Sequence, residues 1–155
     1  MGRITEWTYN DKIFTTNDID NNYGFVYTIT NHVNNRKYIG KKLFWSSKTK
    51  QVNKKKKKFK VESDWKDYYG SNEELKNDIE KYGKENFSRT IMHLCKSKGE
   101  CSYLEAKEQF NNNVIESDEY YNGWIMVRVA TSHIKNLIER NKLGSSIQTD
   151  ERKSM

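Results

Sequence analysis

The sequence predicts one small mixed α/β (α+β) domain, and three observations carry that prediction. Two short β-rich runs, 24–30 and 37–42, are joined by the polar turn Asn31-His32-Val33-Asn34-Asn35, which is a hairpin pattern. A helix signal follows in Ser71 with Glu74 three residues later, a capping box, and the apolar positions Leu75 and Ile79 continue it to a stop at Gly83. A third β-rich run at 87–94 then precedes a second helical stretch around 103–110. A chain of 155 residues suits one domain with a real but limited core.

In chain order, residues 5–14 read as an edge strand or clasp, and the Asn/Asp-rich stretch 16–22 as a loop. The hairpin is followed by a lysine-rich insertion at about 41–66. Its far side, Asp64-Trp65-Lys66-Asp67-Tyr68-Tyr69, has the aromatics to pack back onto the sheet. In the second helix Tyr103, Ala106 and Phe110 form the expected buried stripe, with Glu105 at its border. Asn122-Gly123 breaks structure, and the apolar run 124–129 then closes or braces the sheet. The main folded unit is expected over 1–130, a C-terminal helix over 131–144, and a disordered tail over 145–155. There is no internal repeat and no proline.

Mean hydropathy is low, at −1.05, so the ten tyrosines, six phenylalanines and four tryptophans must supply much of the buried area. Net charge is +7, and it is focal: ten lysines and no acid fall between Lys41 and Lys60, and the rest of the chain holds 18 basic against 21 acidic residues. A concentrated lysine segment without an amphipathic apolar face suits a polyanion better than a membrane, with a solvated loop as the alternative. No stretch approaches the roughly 20 apolar residues that span a bilayer, and no signal-peptide core opens the chain. A cytoplasmic location follows as the expectation. Cys95 and Cys101 lack C-x-x-C spacing and fit reduced thiols; with His93 they make only a weak metal pattern. His133 has no motif partner that would make a cysteine hydrolase.

The two tyrosines of the hairpin are more specific. Val26-Tyr27 ends one motif and Tyr38-Ile39-Gly40 forms the next, with ten residues between the tyrosines. This pattern resembles the GIY-YIG nuclease family, with Phe25 where the family has its first glycine and Gly24 one place early. The resemblance extends over about 23–124. It implies a three-stranded, mostly antiparallel central sheet flanked by helices, and hydrolysis of phosphodiester bonds in double-stranded DNA with Mg²⁺ or Mn²⁺. By the same resemblance Glu105 is the metal-binding carboxylate, with Glu108 one turn away as the substitute. Tyr27 orients or deprotonates the water, and Tyr38 bonds the scissile phosphate or a metal-bound water. A base role for tyrosine, whose free pKa is about 10, requires a nearby cation.

The family's arginine is missing: there is none between Arg36 and Arg89. Lys48 stands at the corresponding distance, and Lys41, Lys42 or Lys66 are the other replacements; none supplies a bidentate fork. Asn122 resembles the asparagine that often ends the family's domain, and equally reads as a turn residue before Gly123. Lys50, Lys54, Lys55, Lys56, Lys57, Lys58 and Lys60 are the expected DNA-backbone contacts, with Trp45 or Trp65 stacking or packing nearby. The chain is also similar in style to free-standing bacteriophage members, several of them homing enzymes. Two other readings stay open: a non-catalytic nucleic-acid-binding protein on the same scaffold, and a protein-partner scaffold using 116–121. A monomer and a homodimer are both compatible with the sequence.

Overall fold

A computed structural model describes residues 4–143 of the chain. Its strands are β1 (Trp7–Tyr9), β2 (Lys12–Ile13), β3 (Gly24–Asn31), β4 (Lys37–Leu43), β5 (Trp45–Val52), β6 (Lys55–Glu62) and β7 (Phe87–Cys95). The helices are α1 (Glu73–Tyr82), α2 (Lys98–Asn111) and α3, residues 135–143, which a 3-10 turn at Thr131–Ile134 introduces. The expected tail at 145–155 lies outside the described residues.

The central sheet has five strands, in the order β2-β1-β7-β3-β4, rather than the expected three. The hairpin β3–β4 and the β3–β7 pair are antiparallel, as the resemblance implied. The two extra strands arise from the 5–14 segment: β1 pairs parallel with β7, and a tight turn through Asn10 and Asp11, both at positive φ, brings β2 back beside β1. Trp7 holds them there. Its ring is 1% exposed, packs edge-on to Phe25 and Tyr27, and its Nε1–H donates to the Trp65 carbonyl at 2.6 Å.

Each face of the sheet buries a different core. On one, Trp7, Phe14, Phe25, Tyr27, Phe44, Trp65 and Phe87 pack with Leu75 of α1. On the other, Val26, Ile39, Cys95, Cys101 and Val114 form a smaller cluster under α2. The period-2 alternation of Phe25-Val26-Tyr27 across the two clusters is what a strand covered on both sides requires. Each fully buried large side chain contributes about 1.5–3 kcal/mol. Phe25, in place of a glycine, is completely buried between Trp7 and Phe44. Trp65, wholly within this core, is not available to stack on a ligand.

Arg89 ties the N-terminal strand pair to the 66–68 segment. Its guanidinium donates to the carbonyls of Thr5 (2.7 and 3.0 Å), Lys66 (2.9 Å) and Tyr68 (2.8 Å), and lies over the rings of Trp7 and Tyr69.

Four local expectations need correcting. α1 is capped by Asn72, whose side chain accepts from Leu75 N–H at 2.9 Å, and not by Ser71. α2 starts at Lys98, capped by Ser97, and its buried side is Glu100, Cys101, Ala106 and Gln109, while Phe110 is 59% exposed. Residues 124–129 form no strand, and Trp124 and Met126 are exposed. The lysine insertion is a two-stranded antiparallel hairpin, β5–β6, rather than a loop.

Candidate active site

Tyr27 and Gly40 are directly opposite in the β3–β4 register, so the Tyr27 side chain lies against a residue without one. A Cβ added to Gly40 would meet the Tyr27 hydroxyl at 2.5 Å and the Tyr38 ring at 2.8 Å. Glycine at this position is therefore a requirement of the two rings, whose centroids are 6.2 Å apart. Tyr27 is 1% exposed, and burial first, then the negative potential of Tyr68, Tyr38 and Glu105, pushes its phenol well above the ordinary value. Tyr38 is half-buried and also raised by burial, with a long contact of 3.5 Å from its hydroxyl to Ser71 Oγ.

β4 is the last strand of the sheet, so its odd-numbered residues turn their backbone groups outward, and each finds a polar partner. Lys37 N–H donates to the Glu119 carbonyl at 2.8 Å and Tyr121 N–H donates to Lys37 O at 2.8 Å. Ile39 N–H donates to Asn122 Oδ1 at 3.1 Å, while Ile39 O accepts from Asn122 Nδ2 at 2.8 Å and from Gln109 Nε2 at 3.0 Å. Both ends of the buried Asn122 amide are thus spent on the backbone between Tyr38 and Gly40. At the next outward position, Lys41, the partner is Glu105 of α2: burial raises this carboxyl, and the Lys41 ammonium at 4.0 Å and the Lys41 backbone N–H oppose the rise. Lys41 Nζ also donates to Ser102 Oγ at 2.6 Å.

A cleft of about 220 Å³ opens along this edge, lined by Tyr38, Ser71, Asn72, Glu105, Gln109, Asn122 and, at its mouth, Trp124 and Met126. Tyr38, Glu105 and Asn122 are thereby brought together, with Lys41 behind Glu105 and Tyr27 beneath Gly40 rather than in the cleft wall. Glu108 is turned away, 2.8 Å from His93 Nε2. Lys42 sits on the Tyr68 side of the strand, over that ring at 4.2 Å and paired with Asp64 at 2.6 Å. Lys48 lies out on β5 opposite Phe59, and Lys66 pairs with Glu62 at 3.8 Å; neither lines the cleft. Lys50, Lys54, Lys55, Lys56, Lys57, Lys58 and Lys60 are all exposed on the β5–β6 hairpin and its turn.

A family profile described as "Putative endonuclease segE, GIY-YIG domain" matches residues 7–125, most of the chain. The chain belongs to this GIY-YIG family. A curated relative described as "Putative endonuclease segE", from Enterobacteria phage T4, is 36% identical over 100 residues, 64% of this chain and 40% of that protein. The chain therefore spans about 40% of the length of that relative. No solved structure matches it. Within the GIY-YIG domain, sequence reasoning missed Gln109, Ser71, Asn72, Trp124 and Met126 as parts of the cleft. Gln109 carried a usable signal, a polar residue one helical turn after Glu105 and hence on the same face. Trp124 and Met126 carried the opposite signal, since an apolar run reads as core.

Proposed function

We propose that the chain is a metal-dependent endonuclease that hydrolyses phosphodiester bonds in double-stranded DNA. The observation that carries this reading is the meeting of Tyr38 and Glu105 in one cleft along the outer edge of β4, in a chain of the GIY-YIG endonuclease family. Among the described residues no three His, Cys, Asp or Glu side chains cluster to hold a metal ion. A lone hard carboxylate beside an open cleft fits Mg²⁺ or Mn²⁺, because Mg²⁺ commonly keeps several waters and takes one or two carboxylates together with substrate phosphate. Glu105 would hold the ion. Bound there, the ion supplies positive charge to the scissile phosphate and acidifies a water.

The remaining work falls to residues of the chain. Lys41 opposes the rise that burial imposes on the Glu105 carboxyl and adds positive potential near the phosphate, the contribution the missing family arginine would make. Tyr38, held neutral by burial, donates its O–H to a phosphate oxygen or orients water in the cleft. Tyr27, still more firmly neutral and outside the cleft wall, is a positioning residue that supports the Tyr38–Gly40 segment from beneath. Asn122 is a positioning residue: it fixes the backbone on which Tyr38 stands. Lys42 and Lys48 are assigned no part in the chemistry, and the hairpin lysines hold the DNA backbone.

The test is incubation of supercoiled plasmid with the wild-type chain and with Glu105→Gln, in Mg²⁺ or in EDTA. Nicked or linear product from the wild type in Mg²⁺ alone, absent in the variant, is the expected result. Cutting that survives Glu105→Gln or EDTA overturns the assignment, and binding without any cut product across unrelated DNAs favours the non-catalytic reading.

A further inference from the structure

We propose that the β5–β6 hairpin is a two-stranded ribbon that enters the major groove of double-stranded DNA, with the face carrying Ser47, Thr49 and Gln51 turned to the base edges. This rests on the reading above that the chain acts on DNA, and it adds a surface that reads sequence.

The register assigns the faces. Ser47 pairs with Lys60, Thr49 with Lys58 and Gln51 with Lys56, which puts three short polar side chains in a row beside three lysines on one face. Lys48, Lys50, Lys57 and Lys55 lie on the other, with Val52 and Phe59. Hydroxyl and amide side chains both donate and accept, and they are the groups that distinguish base pairs in the major groove. That groove, about 12 Å wide, admits a two-stranded ribbon. Residues on one face of a strand repeat every ~6.8 Å, twice the ~3.4 Å spacing of base pairs, so three successive side chains sample alternate base steps.

The hairpin is also built against its own stability. Lys50 and Lys57 are directly opposite, a like-charge pair that destabilises a ribbon. Its two-residue turn has Asn53 at φ 51° and Lys54 at φ 63°, the turn that prefers glycine second, yet a lysine occupies that left-handed position. Between Ser46 and Lys60 only Val52 is even half-buried, so no core offsets these costs. A solvated arm would have no use for either feature. A polyanion relieves the repulsion and engages the charge held at the tip.

The test uses the full chain with Glu105→Gln, so that binding is read without cutting. Its affinity for a short duplex is followed by fluorescence anisotropy from about 50 to 200 mM salt, and its base preference by selection from a randomised duplex pool. Adding Lys54→Gln at the tip with Lys56→Gln and Lys58→Gln on the DNA-facing side is expected to flatten the log K against log salt slope by about 0.9 for each phosphate contact removed. Adding Thr49→Ala and Gln51→Ala should leave the slope unchanged and erase the selected preference. An unchanged slope in the lysine variant, or no base preference in the parent, overturns the ribbon. Plasmid cutting by the wild type is scored separately, so a chain that cuts without using the hairpin refutes the ribbon alone, and one that binds through the hairpin without cutting refutes only the nuclease.

Discussion

Gly40→Ala isolates the contact on which the two tyrosines depend. The added Cβ would lie 2.5 Å from the Tyr27 hydroxyl, 2.8 Å from its Cζ and 2.8 Å from the Tyr38 ring. These separations fall roughly 1 Å short of ordinary contact. Tyr38 can swing toward the cleft, but Tyr27 is enclosed by Trp7, Phe25 and Tyr68 and has nowhere to go. Overpacking of this kind costs about 1–3 kcal/mol, which for a chain of this size lowers Tm by roughly 2 to 12 °C. Urea unfolding followed by tryptophan fluorescence reads it directly, since Trp7 and Trp65 are buried in the same core. Gly123→Ala is the control, because nothing lies within 4 Å of a Cβ there, and it should stay within about 0.5 kcal/mol of the wild type. Removing the closest atom should relieve part of the clash, so Tyr27→Phe is expected to be less costly in the Gly40→Ala background than alone. Equal stability of the wild type and Gly40→Ala would refute the packing of Tyr27 over Gly40, and additive effects of the two substitutions would refute the contact with the hydroxyl.

Asn122→Ala should destabilise by about 1–3 kcal/mol, because Ile39 N–H loses its acceptor while Ile39 O keeps Gln109; urea titration measures the loss. Arg89→Ala removes a buried cation bonded to three carbonyl groups and should cost about 3–5 kcal/mol, and Arg89→Lys should recover little of it, as both unfolding curves would show. Burial raises Glu105, so the folded chain binds its proton more tightly than the unfolded one and stability falls as pH rises through the raised pKa. Glu105→Gln lacks that fall: its stability relative to wild type should increase from acid to neutral pH, measured by unfolding at each pH, and a constant difference would contradict the burial.

Much of the scaffold could be read from residue patterns because local chemistry and tertiary structure agree there. The Tyr27–Tyr38 hairpin alternates apolar side chains between two cores, Gly83 at φ 89° stops α1, and β7 is rich in β-branched and apolar residues. The β5–β6 hairpin escaped because lysine favours no strand and its apolar side chains are only Trp45, Val52, Phe59 and Val61. On α2 the pattern misled for a physical reason: Glu100 and Gln109 are buried because they bond to Lys96 N–H and Ile39 O, while Phe110 is left outside. The pairing of β1 with β7 joins residues some eighty positions apart, which no local signal records. At the candidate site, the residue types came from the resemblance. The use of Asn122 as a backbone clamp and the position of Lys41 against Glu105 emerge only when the rim of β4 is assembled.

That rim has a consequence for how the protein behaves in a crowded solution. A terminal strand with free amides is a template on which another chain can add a strand, the route to sheet polymerisation. Here Lys37, Ile39 and Lys41 have their amides taken in turn by Glu119, Asn122 and Glu105, and at the opposite end β2 is only two residues long. Two of these three stoppers, Asn122 and Glu105, are also side chains that furnish the cleft, so the site doubles as a guard against self-templating growth.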